Sequence, residues 1–177
     1  TGASNVAVGR LALNANTTAS FNTAIGSEAG DALTTGNQNV AVGANALTSE
    51  TQGDRNVAIG ISALEAQNNT SDVDSYNTAV GARAGAAITT GIKNTIVGGL
   101  AGDAITTADN NTAVGMSSLG ATTTGASNTA VGQGSLQTNT TASNNTAVGF
   151  SALNSNTTGD LNVAIGGNAL LSNTVGD

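Results

Sequence analysis

The fold is decided by a short motif that is clearest at residues 145–153, Asn145-Thr146-Ala147-Val148-Gly149-Phe150-Ser151-Ala152-Leu153. Its first five residues follow the pattern Asn-Thr/Val-Ala/Ile-Val/Ile-Gly, which recurs ten times in the 177-residue chain. Successive copies are 17 residues apart, except for a spacing of 21 between Asn56 and Asn77. Self-similarity at a fixed period is typical of solenoids, in which each repeat forms one coil. The repeats begin at Asn5, Asn22, Asn39, Asn56, Asn77, Asn94, Asn111, Asn128, Asn145 and Asn162.

Each repeat can be numbered from its asparagine, which gives the consensus N-T-A-V-G-x-x-A-L-x-x-N-T-T-G-x-x. Asn, Thr, Val and Gly are weak helix formers, whereas short β-branched segments bounded by Gly and Asn are typical of strands. We therefore predict an all-β chain, a parallel β-solenoid or β-roll of ten 17-residue coils that forms a single domain over residues 1–177. Two short strands are expected in each coil, at positions 2–4 and 8–10.

The fourth repeat departs from the period because it carries four additional residues within residues 66–76. Insertions in repeat proteins map to loops on one face, so a surface loop is expected here. The chain also starts at Thr1 without Met and stops part-way through a repeat at Asp177. We interpret it as a segment of a longer protein.

Stacking of identical coils places like residues above one another, about 4.8 Å apart. The ten position-1 asparagines are therefore predicted to form a structural ladder, whose amides bond to one another and to turn backbone. The invariant glycine at position 5 has two possible explanations. Either it adopts a positive φ that other residues resist, or it allows a close approach of neighbouring backbones.

The strand at positions 2–4 presents two different faces, because its side chains alternate. If the alanine at position 3 lines a thin coil, the Val/Ile ladder at position 4 faces outward, and so long an apolar stripe is best buried against other chains. We therefore favour a homo-oligomer, most simply a trimer of rods around one axis. The alternative is a monomer in which Val/Ile and Leu fill the interior and alanine faces water. The ladder consists of Val8, Ile25, Val42, Ile59, Val80, Val97, Val114, Val131, Val148 and Ile165.

The composition excludes several functional classes. The net charge is −7, with only the four basic residues Arg10, Arg55, Arg83 and Lys93, whereas nucleic-acid binding rests on clustered Lys and Arg. No apolar run approaches the roughly 18 residues of a membrane-spanning helix, so direct membrane insertion is not expected. His and Cys are absent, which excludes Ser-His-Asp and Cys-His catalysis and a conventional zinc site.

The remaining chemistry would rest on eleven carboxylates. Most lie several coils apart, beyond the roughly 5–9.5 Å of a glycosidase pair, so we predict no catalytic residue, no cofactor and no enzymatic activity. The best calcium candidate is a set of oxygen ligands in the inserted loop, Asn68, Asn69, Asp72 and Asp74. It lacks the spacing of calcium-binding rolls, and a solvated acidic loop is the favoured interpretation.

Pairs of threonine at positions 13 and 14 are the most suggestive surface feature. The favoured interpretation is that their hydroxyls satisfy turn backbone. The alternative is a flat face that binds ice, a crystalline polymer or a glycan, the last disfavoured by the scarcity of aromatic platforms. The pairs are Thr17 and Thr18, Thr34 and Thr35, Thr89 and Thr90, Thr106 and Thr107, Thr123 and Thr124, Thr140 and Thr141, and Thr157 and Thr158.

The motif N-T-A-V-G-x-x-A-L resembles the head repeats of trimeric autotransporter adhesins, as at residues 39–47. The longer unit at residues 145–159 is similar to repeats of bacteriophage tail fibres and other long surface fibres. The resemblance covers the whole chain and implies a left-handed parallel β-roll, three chains per fibre, and attachment to host surfaces or matrix. The adhesin unit is shorter than the 17 residues found here, so the extra residues are expected in the turn at positions 10–15.

These observations predict a structural and adhesive segment of a fibre on an extracellular, cell or virion surface, stabilised by contacts between neighbouring coils. Its partners would be copies of the same chain and a host-surface or matrix component. Two alternatives stay open. One is a ligand-binding solenoid with a threonine face, and the other is a subunit of a head-to-tail filament, since the open ends of a solenoid are unpaired strand edges.

Overall fold

Each repeat contributes one strand to a single sheet. The computed structural model describes residues 2–176, and its strands cover positions 2–4 of each repeat. They pair in parallel and in chain order in one ten-stranded sheet, each residue opposite the same position of the next repeat. The predicted all-β parallel solenoid is confirmed. The strands are β1 (Val6–Val8), β2 (Thr23–Ile25), β3 (Val40–Val42), β4 (Val57–Ile59), β5 (Thr78–Val80), β6 (Thr95–Val97), β7 (Thr112–Val114), β8 (Thr129–Val131), β9 (Thr146–Val148) and β10 (Val163–Ile165).

The second predicted strand, at positions 8–10, is wrong. Positions 6–11 form consecutive turns, and the backbone at positions 7 and 9 has a positive φ, as in Ser117 (57°) and Leu119 (51°). An extended strand requires a negative φ, so the chain cannot continue as a strand there. Hydrogen bonds still join adjacent coils in this region, for example from the amide of Leu119 to the carbonyl of Ser135 at 3.1 Å.

A narrow apolar core runs along the inside of the coils, which we number 1 to 10 in chain order. In coil 9, Ala147, Ala152 and Leu153 are fully buried, while Val148 on the same strand is 36% exposed. Position 3 therefore faces inward, and the Val/Ile ladder faces outward. The alternative with Val/Ile inside and alanine in water is wrong, although leucine does lie in the interior as that alternative proposed.

Each of coils 1 to 9 fills the centre of this core with a buried aliphatic side chain from one of two positions. Where position 9 is Leu, position 12 is polar, as in Leu119 and Thr122. Where position 9 is Gly, position 12 is Leu or Ile, as in Gly85 and Ile88. A Cβ on Gly85 would lie 2.9 Å from Cδ1 of Ile88, so both positions reach into the same space. The exchange maintains the close packing that a protein interior requires.

Both explanations for the glycine at position 5 apply. Gly115 has a φ of +130°, which residues with a side chain rarely adopt. A Cβ on Gly115 would also lie 2.6 Å from the carbonyl carbon of Gly132 in the next coil. Glycine at this position therefore permits the turn after each strand and the close stacking of the coils.

Candidate interaction surfaces

The most extensive exposed feature is an apolar face along one side of the rod, which we define as the outward side chains at positions 2, 4 and 6. Position 4 is always Val or Ile, and position 2 is always Thr or Val. Large side chains at position 6 widen the face at Ile61, Met116 and Phe150, which are 63%, 53% and 58% exposed. Arg10 is the only charged residue in the sequence at these positions. Monomeric proteins rarely expose an apolar surface this continuous.

The asparagine ladder lies inside the rod and holds the coils in register. Oδ1 of Asn111 accepts a hydrogen bond from the backbone amide of Asn128 at 2.9 Å, which joins two coils. Nδ2 of Asn111 donates to the carbonyl of Gly125 at 2.9 Å, which closes its own coil. The ladder members from Asn22 to Asn162 are at most 9% exposed. They stabilise the fold and do not form a surface for a partner.

The threonine pairs do not form one surface, because their two members have different environments. Hydroxyls at position 13 bond to the next coil, as Oγ1 of Thr106 does to the carbonyl of Thr123 at 3.1 Å. Side chains at position 14, such as Thr107 and Thr124, are exposed. The hydrogen-bonded turn disfavours a binding face made of whole pairs. The threonines at position 14 form an exposed row, and among the position-13 members of the pairs the exposed ones are Thr17 and Thr89.

The inserted loop is anchored on a buried carboxylate that sequence reasoning missed. Glu50, at position 12 of coil 3, is fully buried. Its Oε1 accepts hydrogen bonds from the backbone amides of residues 51–53 and Asn69 at 2.8–3.1 Å. Its Oε2 accepts from the side-chain amides of Gln67 and Asn69 at 2.9 and 3.1 Å. These bonds compensate for burying the charge. The available signal was an acidic residue at position 12 directly before the one elongated repeat.

The candidate calcium ligands lie in different environments. Asn69 is buried and its side-chain amide donates to Oγ of Ser75 at 3.0 Å. Asp72 is exposed, and Asp74 forms an ion pair with Arg55. In the part of the chain that the structure describes, no three His, Cys, Asp or Glu side chains are grouped to hold a metal ion. Asp72 is therefore solvated, whereas Asn69 belongs to the buried network around Glu50.

Two carboxylates have a raised pKa, in each case because burial disfavours the charged form. Asp54 accepts a hydrogen bond from the backbone amide of Asn37, which partly offsets the effect on its pKa. The charge of Arg83 partly offsets the raised pKa of Asp103. Asp54 and Asp103 belong to coils 3 and 6, which are about 14 Å apart along the rod. This separation exceeds that of a glycosidase pair.

No protein-family model, curated protein or solved structure matches this chain. The resemblance to adhesin heads and tail fibres therefore rests on the repeated motif. Residues 2–176 also contain no helix with the length and hydrophobicity needed to cross a membrane.

Proposed function

We propose that the chain is a structural and adhesive, non-catalytic segment of a surface fibre, extracellular or on a virion, in which copies associate through the apolar face. The observation that carries this proposal is the outward orientation of the Val/Ile ladder. Every coil presents Val or Ile at position 4 and Thr or Val at position 2, so a parallel copy of the chain offers a matching pattern at the same spacing. Attachment to a host surface or matrix would use residues outside the face, such as the inserted loop.

The size of the apolar face is adequate for a specific interface. Ten strands about 4.8 Å apart form a rod on the order of 48 Å long, and positions 2–6 span about 13 Å along each coil. The face therefore measures about 600 Å² on one chain, or about 1,200 Å² over two partners, at the lower end of specific interfaces. Three rods around one axis, the arrangement that the family resemblance implies, would bury this face on every chain.

Native molar mass tests the proposal. Light scattering coupled to size exclusion should give three times the 16.9 kDa of one chain. The triple variant Val97→Thr, Val114→Thr and Val131→Thr places hydroxyls on the face while keeping β-branched side chains. We expect it to associate at least tenfold more weakly, because its polar groups lose water without gaining partners.

The matched control alters the exposed row instead of the face. It carries Thr107→Ser, Thr124→Ser and Thr141→Ser, and its mass should equal that of the unmodified chain. A monomeric unmodified chain at the highest soluble concentration would overturn the proposal. A mass that grows without limit as concentration rises would instead support a head-to-tail filament.

A second candidate function is supported by the exposed row at position 14. Its longest uninterrupted run covers coils 5 to 9, because Gln52 and the inserted loop break the pattern earlier. Such a regular row could bind ice or another ordered surface. Thermal hysteresis tests this function. It should be present in the unmodified chain, absent when the row is replaced by asparagine, and unaffected by the Val→Thr variant. The row consists of Thr90, Thr107, Thr124, Thr141 and Thr158.

A further inference from the structure

A shallow pocket of about 300 Å³ lies where coils 6, 7 and 8 adjoin. It is lined by residues at positions 7, 10 and 11 of these coils, which are not part of the apolar face. Gly120 is one of its lining residues, and we call it the Gly120 pocket. Its volume is at the lower end of the range for ligand sites, which suits one small ring rather than an extended chain.

The pocket exists because a side chain is missing. Gly120 is the only glycine at position 10, and all the remaining repeats carry a side chain there. A Cβ on Gly120 would lie 3.9 Å from Oδ1 of Asp103, so this carboxylate borders the gap. Asp103 and Gln137 occupy the same position of coils 6 and 8, two coils apart, which places them about 10 Å from one another along the rod.

The groups around the gap retain hydrogen-bonding capacity. The Asp103 carboxylate is half-buried and interacts with Arg83 and its own backbone amide. Oε1 of Gln137 accepts from Asn154 at 3.1 Å, which leaves the Nε2 donor for another partner. Leu100 is 42% exposed and supplies an apolar wall.

We propose that the Gly120 pocket binds one ring of a neutral saccharide or polyol. Neighbouring hydroxyls of such a ligand can donate to Asp103 and accept from Gln137, while its C–H face packs against Leu100. A net charge of −7 disfavours an anion. Asp103 is the one acidic residue among those that line the pocket, which disfavours a metal ion.

Protein-observed NMR tests the proposal. Titration with the methyl glycosides of glucose, galactose, mannose and N-acetylglucosamine should shift the backbone amides of Ser117, Gly120 and Ala121 for at least one sugar. Gly120→Gln fills the pocket with the side chain found at position 10 of the next coil. It should weaken binding at least tenfold. Gly120 is not among the glycines with positive φ. An added Cβ would lie 3.2 Å from the carbonyl oxygen of Ser117, so the change requires only a small shift of this turn.

Two further variants separate ligand contact from general effects. Asp103→Asn keeps the shape of the pocket and should weaken binding at least fivefold by removing the charged acceptor. Thr48→Gln introduces glutamine at position 10 of coil 3, outside the pocket, and should leave binding unchanged. The proposal would be overturned if none of the four glycosides causes a shift, or if the shifts are equally large in Gly120→Gln. Shifts that map to another coil would also overturn it. These outcomes are independent of the native molar mass, and so of the proposed assembly.

Discussion

At two neighbouring junctions between coils, the backbone amides at positions 13–15 bond to different kinds of acceptor. Between coils 2 and 3, the backbone amides of residues 34–36 all donate to the carbonyl oxygen of Thr51, at 3.0, 3.2 and 3.4 Å. Coil 4 carries the insertion after its position 13, Asn68, and the carbonyl of Asn68 does not take this role. The amides of residues 51–53 donate instead to Oε1 of Glu50, at 2.8–3.1 Å.

In both of these junctions, the backbone amides at positions 13–15 share one acceptor oxygen. Three consecutive amides converge at this turn, and buried amides must find an acceptor. Coil 2 obtains it from the backbone of coil 3. Coil 3, which stacks on the elongated coil 4, obtains it from its own Glu50 side chain. Position 12 of coil 3 is free for this purpose because Leu47 at position 9 already fills the core. An insertion is therefore tolerated where a residue beside it replaces the lost acceptor.

The largest effect on stability is expected from Glu50→Ala, which removes the acceptor at the junction between coils 3 and 4. We call this the interrupted junction. This change leaves several buried donors without an acceptor, and the cost should be about 3–5 kcal/mol in the free energy of unfolding. Amide hydrogen exchange at residues 51–53 should accelerate strongly, while residues 34–36 in the regular junction keep their protection. Equal protection in both junctions would show that the carboxylate is not the acceptor.

Glu50→Gln sharpens this prediction. The amide oxygen can still accept from residues 51–53, but its NH₂ group faces the donor groups of Gln67 and Asn69. We expect a loss of at least about 2 kcal/mol, between the unmodified chain and Glu50→Ala. Glu65→Ala in the adjacent coil is the control. It should change stability by no more than about 0.5 kcal/mol, because Glu65 is half-buried and outside this network.

The next largest effect on stability concerns the asparagine ladder, whose bonding differs between the regular coil 7 and the elongated coil 4. Asn111 bonds to both the next coil and its own turn. Asn56 donates to Oδ1 of Asn39 at 3.0 Å and accepts from the amide of Asn77 at a longer 3.3 Å. Asn111→Ala should cost about 2–3 kcal/mol, and Asn56→Ala about 1 kcal/mol less. Urea denaturation measures both, and equal losses would contradict the difference in bonding.

A smaller effect concerns Asp54 at the interrupted junction. Burial raises the pKa of this carboxyl in the folded state, so ionised Asp54 lowers stability at neutral pH, and the penalty disappears as pH falls through the folded-state pKa toward the unfolded value. Asp54→Asn removes the penalty at every pH. Thermal unfolding should show the variant more stable than the unmodified chain at pH 7, with the difference shrinking toward pH 4. A difference that grows with acidity would contradict the predicted sign.

The smallest effect is a stabilisation in a regular coil. Ser151 at position 7 has a φ of 51°, a conformation that costs a residue with a side chain about 1–2 kcal/mol. Glycine adopts it freely but loses more backbone entropy on folding, by about 0.5–1 kcal/mol. Ser151→Gly should therefore raise stability by about 0.5 kcal/mol, measured by urea denaturation. A loss of similar size would show that the Ser151 side chain makes a stabilising contact.

The sequence predicted the solenoid because its period is preserved in nearly every repeat. The pentad places a strand at positions 2–4, and the alternation of alanine with Val/Ile separates the inner face from the outer one. The false second strand at positions 8–10 has a physical cause. Leucine is an ordinary strand residue, and nothing in its side chain reveals that Leu119 adopts a left-handed backbone conformation.

The surfaces were less predictable than the fold. The Thr-Thr pattern does not show which hydroxyl points into the stack, and the structure separates Thr106 from Thr107 in this respect. Glu50 was missed because a lone acidic residue is usually solvated, and its role depends on the position of the insertion. The Gly120 pocket depends on one missing side chain between two polar neighbours, which a comparison of position 10 across the repeats could have detected.

The most direct test of the assembly is whether the outward Val/Ile methyl groups are covered in solution. In methyl-labelled protein, a soluble paramagnetic agent should broaden the threonine methyl signals of position 14 much more than the Val/Ile methyl signals of position 4 in coils 5 to 9. The Val97→Thr, Val114→Thr and Val131→Thr variant should expose the remaining Val/Ile methyls. Equal broadening of the two rows in the unmodified chain would contradict the proposal that another copy covers the apolar face.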